Sequence, residues 1–210
     1  MSSSRLRWFV AAAGIGAIAV LFAIYAGNRH SPAAPAGAGG NGNGRFQVGQ
    51  PGPGVAAPEI QLPSTDGTTF DLAAQHGNTV LLYFQEGLTC EPCWTQIHDL
   101  EKNHAAIATL GIAQVVSITS DPLDLLRQKV TDERLHTVVL SDSTLAVSRA
   151  YHANSYGMMG DSRDGHTFVL VGPDGRILWR ADYGGAPNYT MYVPVDQLAA
   201  DIKVGLAAHP

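Results

Sequence analysis

The chain has 210 residues, of which 45% are hydrophobic and 15% are charged, and its formal net charge at pH 7 is −5. This length accommodates one ordinary globular domain and an additional segment. The 13 Lys and Arg residues form no long run, so the chain lacks the basic patch or stripe of nucleic-acid-binding proteins, and we expect no nucleic-acid partner. The sequence also has no repeat of the kind that marks solenoids and propellers.

The additional segment is an apolar run near the N-terminus. Residues 8–26 include no charged side chain, and a helix needs about 20 apolar residues to cross a bilayer core. A cleaved signal peptide is the alternative, but its apolar region usually has only about 7–15 residues. The length therefore favours an uncleaved transmembrane anchor over 1–27. Arg5 and Arg7 precede the run, so the positive-inside rule predicts a single-pass cell-membrane protein with a cytoplasmic N-terminus and an extracytoplasmic domain.

A stretch of small and polar residues follows the anchor. Residues 28–54 are almost all Gly, Pro, Ala, Asn and Ser and show no apolar periodicity. Such a segment cannot bury enough apolar surface to offset the entropy lost on ordering. We therefore predict a flexible linker over 28–54 and a folded domain over 55–210.

The folded domain begins with a predicted β-hairpin. Short alternating stretches over 56–72 lie on either side of Thr65-Asp66-Gly67, a typical turn sequence. The continuous apolar run at 79–85 predicts a strand that is buried on both faces, as in a parallel sheet. The pattern then predicts strands at 112–119, 138–140, 167–171 and 177–183, and helices at 91–109, 122–130, 143–152 and 194–206.

This order of elements predicts an α/β fold. Strands that alternate with helices form a sheet that is covered on both faces, and a final antiparallel pair makes the sheet mixed. We expect Asp121 to cap the helix at 122–130 and Pro122 to lie in its first turn. Sites in open sheets form at the carboxyl ends of strands. Residues 89–94, TCEPCW, follow the strand at 79–85, so the sequence predicts a site there.

Both cysteines of the chain lie in this short segment. Cys90 and Cys93 are three positions apart at the start of the predicted helix, and residues at this spacing share one helix face, so the sulfurs can meet. A helix N-terminus and a Cys-x-x-C motif both lower a thiol pKa, whereas the charge of Glu91 opposes this. Pro92 suits the first turn, which does not use its missing N–H. The pattern predicts thiol–disulfide exchange in which Cys90 reacts with the substrate and Cys93 resolves the mixed disulfide.

Two other interpretations of the cysteine pair involve no exchange. A permanent structural disulfide would contribute little stability, because stabilisation grows with loop length and this loop is among the shortest possible. A pair of inert buried thiols is the second alternative. The position of the Cys-x-x-C motif between a strand and a helix favours the redox interpretation.

Four parts of the sequence resemble the thioredoxin-like superfamily in its membrane-anchored, exported branch. They read APEIQL, LLYFQEGLTCEPCWTQI, SDSTLAVSRAYHA and HTFVLVGPDGRI, and the resemblance covers residues 55–183. The CEPC core is similar to that of anchored thioredoxins that reduce cysteines during cytochrome maturation, and the surrounding frame resembles the AhpC/TSA and redoxin families. The resemblance implies a membrane-tethered thiol–disulfide oxidoreductase that acts on the thiols and disulfides of client proteins and needs no organic cofactor.

A redoxin-type thiol peroxidase is the second hypothesis. Peroxiredoxins carry a P-x-x-x-T-x-x-C motif, and aligning its Thr with Thr89 places Pro92 where the peroxidatic cysteine belongs and Gln85 where the proline belongs. The hairpin supports this hypothesis and the broken motif opposes it. The loop from Phe84 to Cys90 is also one residue longer than the usual thioredoxin spacing.

His166 lies at the main departure from thioredoxins. Those proteins have a cis-proline before the strand that corresponds to 167–171, and this chain has Gly165-His166 instead. The resemblance implies that His166 lies beside Cys90, where an imidazole can stabilise a thiolate or act as a general acid; a purely structural role is the alternative. Two thiolates and an imidazole also suit Cu(I). The third hypothesis is therefore a copper-binding chaperone, similar to the Sco type, that uses Cys90, Cys93 and His166.

Two further residues near the cysteines have alternative roles. Glu86 can act as a proton carrier near the sulfurs, although carboxylates in loops are usually solvated. Trp94 is expected to pack in the core or at its rim, with contact to a partner peptide as the alternative. His98 and His104 are expected on the surface, because the helix places them on another face or far from Cys93. A fourth hypothesis is a domain with an inactive site that only binds partners.

Overall fold

The computed structural model describes residues 44–208. The anchor predicted over 1–27 and most of the predicted linker precede this range and lie outside the described residues. Between residues 44 and 208, no helix combines the length and the apolar character that are needed to span a bilayer.

The described residues form two sheets and five helices. The small sheet contains β1 (Gln61–Pro63) and β2 (Thr69–Asp71), and the large sheet contains β3 (Val80–Phe84), β4 (Gln114–Thr119), β5 (Val138–Ser141), β6 (Thr167–Val171) and β7 (Ile177–Asp182). The helices are α1 (Glu91–Lys102), α2 (His104–Ala108), α3 (Leu123–Glu133), α4 (Ala146–Ala150) and α5 (Val195–Ala208). Short 3-10 turns occur at Ala73–Gln75, Ala153–Ser155 and Gly160–Ser162.

The large sheet is mixed, with the strand order β5-β4-β3-β6-β7. The neighbours β3 and β4, and also β4 and β5, are parallel, whereas β6 is antiparallel to both β3 and β7. The α/β fold and the terminal antiparallel pair predicted from the sequence are therefore confirmed. The predicted hairpin is also confirmed, with Leu62 opposite Phe70, and Ser64 forms a bridge with Leu140 at the outer edge of β5.

The central strand β3 contributes side chains to a hydrophobic core on each face of the sheet. Leu81 and Tyr83 pack with residues of α1, α5 and β7, and Leu82 and Phe84 pack with the hairpin and with Tyr151. This division follows from the alternation of side chains along a strand. All residues of β3 are buried, which confirms the prediction of a strand that is covered on both faces.

The helix predicted over 91–109 is divided at Asn103. The side-chain amide of Asn103 donates a hydrogen bond of 2.8 Å to the carbonyl oxygen of Asp99, and α1 ends at Lys102. Asn side chains compete with the helical backbone for such hydrogen bonds. The chain then resumes as the short α2, which begins at His104. The segment therefore consists of two helices where the apolar spacing predicted one.

The C-terminal part of the linker predicted over 28–54 is ordered by contacts with the folded domain. Gln47 pairs with Asp182 at the edge of β7, and the backbone N–H of Gly54 donates to the carbonyl of Ile177 at 2.8 Å. The buried guanidinium of Arg180 donates to the carbonyls of Gln50 and Pro51. Hydrogen bonds to an open sheet edge thus order a stretch that has no apolar periodicity. Residues 44–51 are called the N-terminal arm below.

Candidate functional site

The two cysteines form a disulfide at the carboxyl end of β3. The Sγ atoms of Cys90 and Cys93 are 2.04 Å apart. Cys90 is the residue that precedes α1, and Pro92 lies exposed in the first turn of that helix, as predicted. The backbone N–H of Cys93 donates to the carbonyl of Cys90 at 3.0 Å. The structure therefore places the predicted redox pair at the edge of the sheet where sites are expected.

The disulfide is almost completely covered. Cys90 is 7% exposed and Cys93 is fully buried, and both pack against Met191 in a separate small cluster. Met191 belongs to the loop at 184–194, which joins β7 to α5. The sequence does not indicate this contact, because a methionine in a loop far along the chain carries no periodicity that points to the cysteines.

Trp94 holds the loop that leads to Cys90. Its side chain is fully buried in the core, and its indole Nε1–H donates to the carbonyl of Gly87 at 3.1 Å. The ammonium group of Lys129 lies 5.3 Å from the centre of the Trp94 ring. Trp94 therefore has the packing role that the sequence analysis favoured, and its buried N–H has a partner, as such groups generally do.

The carboxylate of Asp121 fixes the same loop. It accepts from the backbone N–H of Leu88 at 2.7 Å and from the hydroxyl of Thr119 at 3.2 Å. The predicted capping role is wrong, since α3 follows Pro122 and has no side-chain cap. Gly87 has φ +97°, and a Cβ there would lie 1.8 Å from Asp121 Oδ2. The loop can therefore approach Asp121 this closely only with a glycine at this position.

Arg163 completes this arrangement. Its guanidinium donates to Asp121 Oδ1 at 2.8 Å and to the carbonyl of Glu86 at 3.1 Å. The Asp121 side chain is 5% exposed, so most of the ion pair is removed from water. Charge-assisted hydrogen bonds of this kind are stronger than neutral ones. One partly buried ion pair thus fixes the backbone that presents Cys90.

Glu86 is buried, whereas a loop carboxylate is usually solvated. Its Oε1 accepts from the backbone N–H of Met158 at 2.6 Å. Burial raises the pKa of the Tyr83 hydroxyl well above its usual value, and the negative charge of Glu86 raises it further. Glu86 therefore holds the segment around Met158 against the site loop.

His166 is fully buried among aromatic rings. Its ring centre lies 5.1 Å from that of Tyr83 and 5.3 Å from that of Phe168. Burial lowers the pKa of His166 to about 3, and the nearby backbone of Thr190 and Met191 opposes this only partly. Neither ring nitrogen has a hydrogen-bond partner in the described part of the chain. His166 is therefore neutral at pH 7 and gives no positive charge to a Cys90 thiolate, contrary to one expectation from the sequence.

The three-ligand copper site is not assembled in this structure. Among residues 44–208, no group of three or more His, Cys, Asp or Glu side chains is arranged to hold a metal ion. Cys90 and Cys93 are bonded to each other, and His166 makes no hydrogen bond to either sulfur. The copper-chaperone alternative therefore receives no support from the geometry.

Asp164 is a buried acidic residue that the sequence analysis missed. Its side chain is fully buried, and neither carboxyl oxygen has a hydrogen-bond partner in the range that the structure covers. Burial raises the pKa of Asp164 to about 8, and the charge of Asp142 adds to the rise. Asp164 is therefore mostly protonated at pH 7. An Asp beside a glycine is typical of an exposed turn, which explains why the sequence did not indicate its burial.

The two histidines of the first helical segment are exposed, as predicted. His98 contacts Glu133 at 2.9 Å and His104 contacts the carbonyl of Glu101 at 3.2 Å.

The fold and the Cys-x-x-C disulfide at the start of α1 define a thioredoxin-like thiol oxidoreductase. The sequence pattern of the AhpC/TSA family matches residues 53–180. This match covers more than half of the chain, and the chain belongs to the AhpC/TSA family. No curated protein matches the sequence.

Several solved structures share the fold. Peroxidoxin BcpB from Mycobacterium tuberculosis has a TM-score of 0.61 at 17% identity, and the match covers 73% of this chain and 97% of that chain. A 2-Cys peroxiredoxin from Plasmodium vivax has a TM-score of 0.58 at 22% identity, covering 71% and 79%. Peroxiredoxin Q from Xanthomonas campestris has a TM-score of 0.56 at 18% identity, covering 71% and 91%. At these identities the likeness shows the fold alone.

Proposed function

We propose that this oxidoreductase exchanges electrons between its Cys90–Cys93 couple and the cysteines of client proteins. The observation that carries the proposal is the disulfide itself, which lies at the N-terminus of α1 on a loop fixed by Asp121 and Arg163. The shortness of the closed loop argues against a purely stabilising role for this disulfide.

Cys90 is the nucleophile in this proposal. It is the more exposed of the two cysteines, and it directly precedes the first turn of α1. The positive end of the helix dipole lies at this N-terminus and favours a negative charge. It therefore stabilises a thiolate at Cys90, while the fully buried Cys93 acts second.

The exchange consists of two substitutions at sulfur. In the reducing direction, the Cys90 thiolate attacks a client disulfide, forms a bond to one client sulfur and releases the other as a thiolate, which takes a proton from water. Cys93 then loses its proton and attacks the Cys90 sulfur, which closes the Cys90–Cys93 disulfide and releases the second client thiolate. The couple loses two electrons and the client disulfide gains two. Oxidation of a client is the same sequence in reverse.

Trapping of mixed disulfides tests the proposal. Cys93→Ser should accumulate mixed disulfides with client proteins through Cys90, because no second thiol remains to resolve them. Cys90→Ser should trap few or none, and it is the matched control because it retains one cysteine of the pair. Equal trapping by the two variants on a non-reducing gel would show that the assigned roles are wrong.

A thiol peroxidase is the second candidate, and membership of the AhpC/TSA family favours it. The structural neighbours named above are called peroxidoxin or peroxiredoxin. In this reaction the Cys90 thiolate would take one oxygen from a hydroperoxide and release an alcohol, and Cys93 would then form the disulfide and release water. The substitution of Pro92 at the peroxidatic position of the family motif opposes this candidate. Peroxide consumption that is lost in Cys90→Ser would favour it.

We further propose that the anchor over 1–27 tethers the domain to the cell membrane, outside the cytoplasm. The uncharged run at 8–26 and the preceding Arg5 and Arg7 support this arrangement. The full chain should sediment with membranes and expose the domain to protease added outside the cytoplasm, and deletion of 1–27 should release a soluble protein. A full chain that is soluble and trimmed near Ala36 would contradict the tether.

A further inference from the structure

We propose that Met191 is a specificity-determining cover over the Cys90–Cys93 disulfide. Small thiols and disulfides can reach Cys90 past Met191, whereas the Met191 side chain must move aside before the cysteine of a protein client can do so. The inference rests on the proposed exchange at Cys90, and it adds to that proposal a selection between classes of substrate.

The cover follows from the packing around the sulfurs. Met191 is 7% exposed and forms one cluster with Cys90 and Cys93. Exchange requires an incoming sulfur to contact a sulfur of the pair directly. A small thiol can approach through a narrow opening, whereas a client cysteine brings the polypeptide on both of its sides. The burial of the pair therefore discriminates by size.

The C-terminal side of the cover is fastened to the helix that carries Cys93. The backbone N–H of Val193 donates to Gln96 Oε1 at 2.7 Å, and the hydroxyl of Tyr192 donates to Asp99 Oδ2 at 2.5 Å. Gln96 and Asp99 both belong to α1. The two residues after Met191 are thus fixed relative to the disulfide, and they form the attached side of the loop.

The outer part of the N-terminal side of the cover is held by exposed hydrogen bonds. Asn188 Nδ2 donates to the carbonyl of Gly44 at 2.8 Å, and Gln47 Nε2 donates to the carbonyl of Ala186 at 2.6 Å. Both hydrogen bonds are exposed, so water can replace either partner at little cost. The outer part of the loop, at 186–188, therefore has the features of a segment that opens locally. Closer to Met191, the backbone N–H of Thr190 donates to the carbonyl of Tyr183 at 3.0 Å and ties the loop to the end of β7.

The side chain of Met191 is held over the disulfide by packing alone. His166 lies beneath the backbone of Thr190 and Met191, and both of its ring nitrogens lack a hydrogen-bond partner among the described residues. Met191 itself has an unbranched and flexible side chain that adapts to different neighbours. The Met191 side chain can therefore move without breaking a hydrogen bond, whereas movement of the loop backbone must break the one of 3.0 Å from the N–H of Thr190 to the carbonyl of Tyr183.

Alkylation of the reduced full-length protein with reagents of two sizes tests the cover. The rates of Cys90 modification by iodoacetamide and by a maleimide attached to a polyethylene glycol chain are compared in the wild type, in Met191→Ala and in Met158→Ala. Met158 is a matched control because its side chain is 59% exposed and is not part of the disulfide cluster. Met191→Ala should raise the rate with the bulky reagent, relative to the small one, by about tenfold, since the free energy of burying one methionine corresponds to such a factor.

A second variant keeps the test decisive if Met191→Ala does not fold. Tyr192→Phe loses only the hydroxyl that contacts Asp99, and it should raise the same ratio by about threefold, as expected for the loss of one hydrogen bond. Equal changes with both reagents would indicate altered reactivity of the thiol and would overturn the cover. If the ratio of the bulky-reagent rate to the small-reagent rate stays at the wild-type value in every variant that folds, Met191 does not cover Cys90.

An exchange assay separates this inference from the proposed function. Met191→Ala should accelerate the reduction of insulin disulfides more than that of glutathione disulfide, while Met158→Ala should change neither. A wild type that exchanges with neither disulfide would refute the proposed exchange, and the alkylation ratio would still decide whether Met191 covers Cys90. A normal wild-type exchange with no size-dependent gain in Met191→Ala would refute the cover alone.

Discussion

Two loops enclose the disulfide, and they are held in different ways. The loop at 85–89, which leads to Cys90, is fixed by the buried carboxylate of Asp121 and the guanidinium of Arg163. The loop at 184–194, which carries Met191, is held on one side by hydrogen bonds to α1. On the other side it is held by one backbone hydrogen bond to Tyr183 and by exposed hydrogen bonds to the N-terminal arm. The comparison indicates a fixed side that positions the nucleophile and a movable side that controls access to it.

The largest expected effect is on the fixed side. Asp121→Ala leaves Arg163 without its carboxylate partner and the N–H of Leu88 without an acceptor. Removing one partner of a fully buried ion pair typically costs about 3–5 kcal/mol. Arg163 is 28% exposed and can regain water, so the free energy of unfolding in urea should fall by about 2–3 kcal/mol. Asp124→Ala is the matched control, since Asp124 lies exposed in the first turn of α3. Equal losses in the two variants would show that the ion pair does not fix the loop.

The next prediction concerns the proton held by Asp164, close to Arg163 in the chain. The pKa of Asp164 is about 8 in the folded protein, whereas its ordinary value, which applies to the unfolded chain, is 3.8. Between pH 3.8 and pH 8 the folded state therefore binds more protons than the unfolded state. Stability therefore falls as pH rises toward 8, by about 1.4 kcal/mol per pH unit for one group. Wild type should lose about 2 kcal/mol between pH 6.5 and pH 8.

The variant Asp164→Asn should lack this slope, because its amide does not titrate. Urea unfolding at the two pH values measures the difference, and Asp161→Asn is the control because Asp161 is exposed. An identical pH dependence in wild type and Asp164→Asn would show that Asp164 is ionised in the folded protein.

His166, on the underside of the movable loop, has the opposite pH dependence. Its pKa is lowered from 6.5 to about 3 by burial, so the unfolded state binds more protons between these values and the contribution of His166 to stability is lost as pH falls below 6.5. Relative to His166→Phe, wild type should lose about 1 kcal/mol for the first pH unit below 6.5. Urea unfolding at pH 7 and pH 5.5 measures this difference. His104→Gln is the control, because His104 is exposed. If the free energy of unfolding of His166→Phe depends on pH as strongly as that of wild type, the prediction is wrong.

The fixed side of the site is largely predictable from the sequence. The apolar run of β3 and the change to helical spacing after it depend on local patterns, and they place Cys90 and Cys93 correctly at the start of α1. Asp121 is the exception. An Asp-Pro pair before a helix matches the capping pattern, but tertiary contacts with Leu88, Thr119 and Arg163 use the carboxylate instead.

The movable side is not predictable from local patterns. Met191 meets the cysteines only because the sheet brings the end of β7 next to the start of α1, and a loop has no periodicity that records such a contact. The N-terminal arm has the composition of a flexible segment, yet the edge of β7 and the buried Arg180 order it. The burial of Asp164 and His166 likewise depends on how the chain returns to the sheet at β6.

The smallest expected effect tests how weakly the movable side is held. Asn188→Ala removes the exposed hydrogen bond between the loop and the carbonyl of Gly44, and water can satisfy that carbonyl, so the free energy of unfolding should change by less than about 0.5 kcal/mol. Hydrogen exchange of the loop amides should nevertheless become faster, because local opening no longer has to break this contact. Amides of β3, which lie in the core, provide the internal control. If Asn188→Ala loses as much stability as Asp121→Ala, both loops are fixed. If hydrogen exchange of the loop amides is unchanged, Asn188 does not restrain the cover.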